Sequence, residues 1–218
     1  MSKKLSLAVL LSGNGTNFQA IVDSIENGHL KATIKIVVSN NKDAFGLKRA
    51  KRNNIKNLCL DHKDFEDRKS YDQKLKEVIM QESVDFIILA GFMRILGSDF
   101  VKNFPNKIIN IHPSLLPKYP GLNTHQQVID NKDEVHGITI HYVSSELDGG
   151  PIIAQGELLT SGDNDINNLI ERIHTIEHEL YPEIIKYICD NQINIYSNEV
   201  IFNNLSIKGT HIYKKYDV

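Results

Sequence analysis

Cysteine is scarce: Cys59 and Cys189 are the two in 218 residues. That excludes a disulfide scaffold and a four-cysteine zinc site, and fits two reduced core thiols in a cytoplasmic protein. Surplus charge is lacking too. Lys plus Arg number 25 and Asp plus Glu 27, a formal net charge of −2. Nucleic-acid and membrane-surface binders want a basic excess, so neither role is expected. No apolar run reaches the roughly 18 residues of a membrane-spanning helix. The short run Leu5–Leu11 ends in Ser12-Gly13-Asn14-Gly15 without a small-x-small cleavage site, which argues against a signal peptide. What remains is an ordinary folded composition, 41% hydrophobic and 24% charged, of a length that suits one α/β domain.

Apolar segments alternate with amphipathic ones. Leu5–Leu11, Ile34–Val38, Val84–Ala90 and Lys107–Ile111 read as buried strands, and Lys56–Leu60 as a short one. Phe18–Ile25, Asp43–Asn53 and Phe65–Glu82 have helical spacing. Strands with little polar alternation, separated by helices, predict a doubly wound, Rossmann-like, mostly parallel sheet with helices on both faces. Such a sheet binds ligands at the carboxyl ends of its strands. Further on, Gly137–Val143 and Pro151–Leu159 alternate as half-exposed strands around Asp148-Gly149-Gly150, which predicts an antiparallel pair. A long helix follows over Asp165–Cys189, then strand-like pieces within Ile193–Tyr213. No repeat or linker interrupts the chain, so residues 1–218 read as one domain: an α/β half over 1–111, a second half over 112–190 and a C-terminal appendage over 191–218.

Four places could carry chemistry. The loop Ser12–Asn17 joins a strand to a helix, where backbone N–H groups and the helix dipole bind phosphate and glycines let the anion approach. It is neither a Walker A loop nor a good dinucleotide fingerprint, because Phe18 holds the third glycine position. The plain alternative is a turn capped by Thr16 or Asn17. In Asn110-Ile111-His112-Pro113, period-two alternation points Asn110 and His112 to one side, and Pro113 ends the strand there. An amide donor beside an imidazole suits a developing oxyanion; the plain alternative is a pair satisfied by the loop Ser114–Gly121. Asp148 either caps the Gly-Gly-Pro turn or stands beside His112 and favours its charged form. On the long helix, Ile166, Leu169, Ile170, Ile173, Ile176 and Leu180 form an apolar stripe with Glu177 near its centre. A carboxylate facing inward needs a partner, either a ligand group or a buried cation. His174 and His178 have metal-ligand spacing but lack the His-Glu-x-x-His pattern, and no metal is expected.

Together these segments resemble the folate-dependent formyltransferases, from Leu5 to about Pro182. The resemblance rests on SGNGTNFQAI (12–21), SNNKDAFGLKRA (39–50), LAGFMRIL (89–96), NIHPSLLPKYPGL (110–122) and ELDGGPII (146–153). It implies formyl transfer from 10-formyltetrahydrofolate, a cosubstrate, to the primary amine of glycinamide ribonucleotide. The implied catalytic trio is Asn110, His112 and Asp148, with His112 held protonated by Asp148. The ribonucleotide phosphate would fall on Gly15, Thr16, Asn17, Phe18 and Gln19, and Glu177 would grip the same substrate. The folate would fall on Arg68, on Met93, Arg94, Ile95 and Leu96, and on Val143–Asp148, with Asn110 and Asp148 shared. Residues 1–111 then become the phosphate-binding half and 112–190 the folate and catalytic half. The resemblance leaves room for a homodimer.

The sequence departs from the family pattern at Asn123, where many members carry histidine, and at His174, where some carry glutamine. Three rival readings differ in what they require. A tRNA-directed formyltransferase is expected to have a longer chain and a basic surplus. A formyltetrahydrofolate hydrolase is expected to carry an extra N-terminal domain. A non-catalytic nucleotide-binding module of the same fold would have no use for Asn110, His112 and Asp148 together.

Overall fold

A computed structural model describes residues 4–160, 165–203, 205–206 and 212–218. The chain forms two compact units, 1–110 and 111–218. In the first unit β1 (Leu5–Leu11), β2 (Ala32–Ser39), β3 (Asn57–Cys59), β4 (Phe86–Leu89) and the start of β5 (Ile108–His112) are all parallel, in the order β3-β2-β1-β4-β5. β1, β4 and the second half of β2 are apolar runs without alternation, and Leu7 to Leu11 are fully buried, as expected of parallel strands packed on both faces. The strand order reverses between β1 and β4, and such a reversal opens a crevice at the strands' carboxyl ends.

The helices between these strands are α1 (Thr16–Glu26), α2 (Phe45–Arg52) and α3 (Arg68–Gln81). The helix expected from Phe65 starts at Arg68 instead. There the Asp67 side chain accepts from the Ser70 N–H at 2.7 Å and the Ser70 hydroxyl accepts from the Asp67 N–H, a reciprocal cap that fixes the start. One short helix, α4 (Ser98–Asn103), was not expected.

In the second unit β6 (Val135–Tyr142) and β7 (Ile152–Leu159) are antiparallel, as predicted. They are not half-exposed, however: all of β6 beyond Val135 is buried. Helix α6 (Ile166–Cys189) covers β7 so closely that a Cβ on Gly156 would lie 2.6 Å from Ile176, and the loop after His112 hydrogen-bonds to Thr139 of β6. The turn between the two strands depends on Gly150, whose missing Cβ would lie 1.7 Å from the Tyr142 carbonyl oxygen. An unexpected helix, α5 (Thr124–Asp130), follows the loop. Past α6, β8 (Ile193–Tyr196), β9 (Glu199–Phe202) and β10 (Leu205–Ser206) make a small antiparallel sheet. Strand β11 (Ile212–Tyr216) instead pairs with β7 in parallel. The class is therefore α/β and Rossmann-like, mostly parallel, with an antiparallel part toward the C-terminus. Cys59 and Cys189 are half-buried rather than core residues. Among the described residues no helix is long and apolar enough to cross a membrane.

Candidate active site

In the first unit, the chain leaves β1 at the crevice and turns into α1. Gly15 caps that helix with φ +73° and no side-chain cap, and its carbonyl accepts from the Gln19 N–H at 3.0 Å. Neither Thr16 nor Asn17 is the cap. The left-handed backbone favours glycine, and a Cβ at Gly15 would lie 2.8 Å from the Gly46 Cα of α2. With no capping side chain over it, the first turn presents backbone N–H groups in the manner of an anion site. Phe18 is fully buried, so its part in such a site falls to its N–H alone. Arg49 holds the loop from outside, donating to the carbonyl of Asn14 at 3.0 Å and to its side chain at 3.1 Å.

Ser12 ties three strand ends together. Its hydroxyl donates to Asn40 Oδ1 at 2.5 Å and accepts from the Met93 N–H at 2.7 Å, and its N–H donates to the Gly91 carbonyl at 3.0 Å. The loop after β1 and the segment after β4 thus share one buried serine. On that segment the apolar side chains Met93 and Ile95 are 67% and 55% exposed, while Leu96 is buried. Arg94 lies half-buried, its guanidinium 4.8 Å above the Tyr71 ring. Arg68 opens α3 and is exposed.

In the second unit, His112 and Asp148 meet, although 36 positions apart in sequence. His112 Nδ1 lies 3.5 Å from Asp148 Oδ2, and the two side chains are 6% and 9% exposed. His112 Nε2 lies 2.9 Å from the Tyr119 carbonyl oxygen. A carbonyl only accepts, so Nε2 carries a hydrogen there. Asp148 has φ +50° and also accepts from the Gly121 N–H at 2.9 Å. It is therefore more than a turn cap: its carboxylate ties His112 to the loop 114–123. Asn110 stands two residues before His112 on β5, on the same side of the strand by its alternation. Val143 is half-buried just beyond β6.

Sequence reasoning missed the supports of this pair. His141 is 2% exposed, with Nε2 3.7 Å from Asp148 Oδ1 and Nδ1 donating to the Tyr142 carbonyl at 2.9 Å. Burial holds its pKa below the usual imidazole value, ahead of the opposing pull of the Tyr142 carbonyl and of Asp148. The Thr139 hydroxyl donates to the Ser114 carbonyl at 2.6 Å and accepts from the Leu116 N–H at 3.0 Å and from Gln155 Nε2 at 2.9 Å. Thr139 and His141 are two apart on β6, a period-two signal visible in the sequence.

Glu177 faces inward as expected and is 6% exposed. It lies near Tyr181, whose phenol is pushed up by burial first and by the charge of Glu177 second. The rings of His174 and His178 stack at 5.9 Å. Asn123 caps α5 with φ +60°, in the left-handed region that asparagine tolerates.

Residues 5–185 match the formyl transferase family. The phosphoribosylglycinamide formyltransferase of Escherichia coli (strain K12) is 42% identical over 194 residues, 89% of this chain and 92% of that protein. The enzyme of the same name from Haemophilus influenzae is 40% identical over 88% of this chain and 91% of its own. The solved structure of the phosphoribosylglycinamide formyltransferase from Coxiella burnetii superposes with a TM-score of 0.92 at 40% identity, covering 97% of this chain and 100% of that one. With the family pattern spanning most of its length and relatives this close, the chain belongs to the formyl transferase family.

Proposed function

We propose that this enzyme transfers the formyl group of 10-formyltetrahydrofolate to the amine of glycinamide ribonucleotide. The products are formylglycinamide ribonucleotide and tetrahydrofolate, a step of purine biosynthesis. The observation that carries the reading is the His112–Asp148 pair at the end of β5, with Asn110 two residues upstream. The names borne by the relatives supply the acceptor and the formyl group; the folate donor rests on the resemblance to the folate-dependent formyltransferases.

The amine nitrogen attacks the formyl carbon, a C–N bond forms and the carbonyl oxygen becomes an oxyanion. Asn110 donates an N–H to that oxygen, and His112, facing Asp148, donates the second hydrogen bond. Collapse breaks the bond to N10 of the folate. N10 takes a proton from His112, and the attacking amine gives one up to the imidazole left behind, so the protons balance and the ring ends as it began. The phosphate is assigned to the backbone of Gly15, Thr16, Asn17, Phe18 and Gln19, and Glu177 to the substrate amine or hydroxyls. The folate is assigned to the exposed Met93 and Ile95, to Arg94, Leu96 and Val143, and to Arg68, whose guanidinium suits the anionic glutamate tail.

The test is turnover with the two substrates. Tetrahydrofolate appearance read by absorbance, and formylated ribonucleotide read by mass spectrometry, should rise together only when both substrates are present. No turnover with both present would defeat the reading.

A further inference from the structure

Asp72 lies on α3, one turn after Arg68, and is 8% exposed. Its Oδ2 accepts from the Gly97 N–H at 2.8 Å, where the segment after β4 ends and α4 begins. The approach is so close that a Cβ on Gly97 would lie 2.7 Å from that oxygen; the same Cβ would lie 3.9 Å from Arg68 Nε. Burial pushes the Asp72 carboxyl up, while the Gly97 N–H and then the charges of Arg68 and Arg94 pull it back toward the ionised form. One buried carboxylate thus holds a backbone donor at its Oδ2, with the charges of Arg68 and Arg94 near enough to act on it. Arg94 lies beside this arrangement: its buried Nε makes no hydrogen bond among the described residues and its guanidinium rests on the Tyr71 ring. Tyr71 is Asp72's chain neighbour, fully buried and braced edge-on by Phe65 at 5.4 Å. Arg68, Asp72 and Gly97 line a common cleft of about 570 Å³.

We infer that Asp72 is a positioning residue for the formyl donor: it fixes Arg68 and the segment Met93–Gly97 in the arrangement that receives the folate. The inference rests on the folate reading proposed above. A group that positions only the donor should leave the ribonucleotide and the chemical step alone, and this sets the test.

The test uses the full chain. Asp72→Asn keeps an acceptor for the Gly97 N–H and removes the charge; Asp72→Ala removes both. Tetrahydrofolate binding is measured calorimetrically, without turnover. Asp72→Asn should weaken it about tenfold, the scale of one charge-assisted hydrogen bond, and Asp72→Ala by more. In steady state the KM for 10-formyltetrahydrofolate should rise by a similar factor, with kcat and the KM for glycinamide ribonucleotide within twofold of wild type. Combined with Arg68→Ala, the Asp72→Asn loss should shrink, because part of it acts through Arg68. A folded Asp72→Asn protein that binds tetrahydrofolate as wild type does would overturn the inference. So would one that loses kcat and both KM values alike. Wild-type protein that fails to bind tetrahydrofolate would instead overturn the folate reading, and the inference with it.

Discussion

His112 is held from two directions by groups of different kinds. The Tyr119 carbonyl takes the Nε2 hydrogen at 2.9 Å, and the Asp148 carboxylate faces Nδ1 at 3.5 Å. In the proposed mechanism, removing the imidazole removes both the proton donor and one of the two oxyanion contacts. His112→Ala should therefore lower kcat by roughly 10²-fold or more, and Asp148→Asn should lower it by a smaller factor. Rapid-quench turnover under saturating substrates checks this; a rate within threefold of wild type for His112→Ala would remove the residue from the mechanism. A second residue-scale expectation concerns backbone room. Gly150→Ala must place a methyl group 1.7 Å from the Tyr142 carbonyl oxygen, and backbone cannot yield as a flexible side chain can. The loss should be about 3 kcal/mol or more. Gly13→Ala is the contrast, since its Cβ would meet nothing within 4 Å. Urea unfolding of the two variants should differ sharply, with Gly13→Ala near wild type.

The loop 114–123 reaches His112 and Asp148 because β6 and β7 grip it. Thr139 gives one hydrogen bond to the loop and takes one from it, and Gln155 Nε2 donates to the Leu116 carbonyl at 2.8 Å as well as to Thr139. Thr139→Val keeps the shape and strands the Leu116 N–H, at a cost of about 1–3 kcal/mol. Because the Tyr119 carbonyl rides on this loop, kcat should fall along with thermal stability. A Thr139→Val variant with a lowered melting temperature and an unchanged kcat would separate the loop anchor from the chemistry. Elements of this kind mark where sequence reading stops. The strands of the first unit were legible because parallel strands are continuous apolar runs, and the β6–β7 hairpin was legible from Asp148-Gly149-Gly150. Helices α4 and α5, at 6 and 7 residues, are too short to show a period. The parallel pairing of β11 with β7 is a long-range choice with no local signature. For the site, Asn110, His112 and Glu177 were readable from strand and helix alternation. The approach of Asp148 to His112, and the parts played by Thr139, Tyr119 and Gly121, come from a loop path that no spacing encodes.

At the scale of the whole molecule, the histidines set how the fold meets acid. His136 is 1% exposed and its Nε2 lies 3.0 Å from His125 Nδ1, so one neutral ring donates to the other. Burial first, and each ring's imidazole neighbours second, hold the pKa of His125 down to about 4 and of His136 down to about 3. Burial likewise lowers His141 and His174. In the unfolded chain these rings take a proton near pH 6.5. A lowered folded pKa means that the unfolded state binds more protons below that point, so stability is fully present above about pH 6.5 and is lost as pH falls toward the folded values. Each ring that stays neutral in the fold contributes a slope of about 1.4 kcal/mol per pH unit across that window. Urea unfolding should thus give a constant stability between pH 7 and 8 and a steep fall between pH 6.5 and 4. Acidic residues contribute to acid unfolding in any protein, so the discriminating variant is His136→Gln, which keeps an acceptor for His125 and removes one titrating ring. Its stability should fall less steeply than wild type's by about one proton's slope. Parallel curves for the two proteins would show that His136 is already protonated in the native state, and the buried pair would lose its place as the acid-sensitive element of the fold.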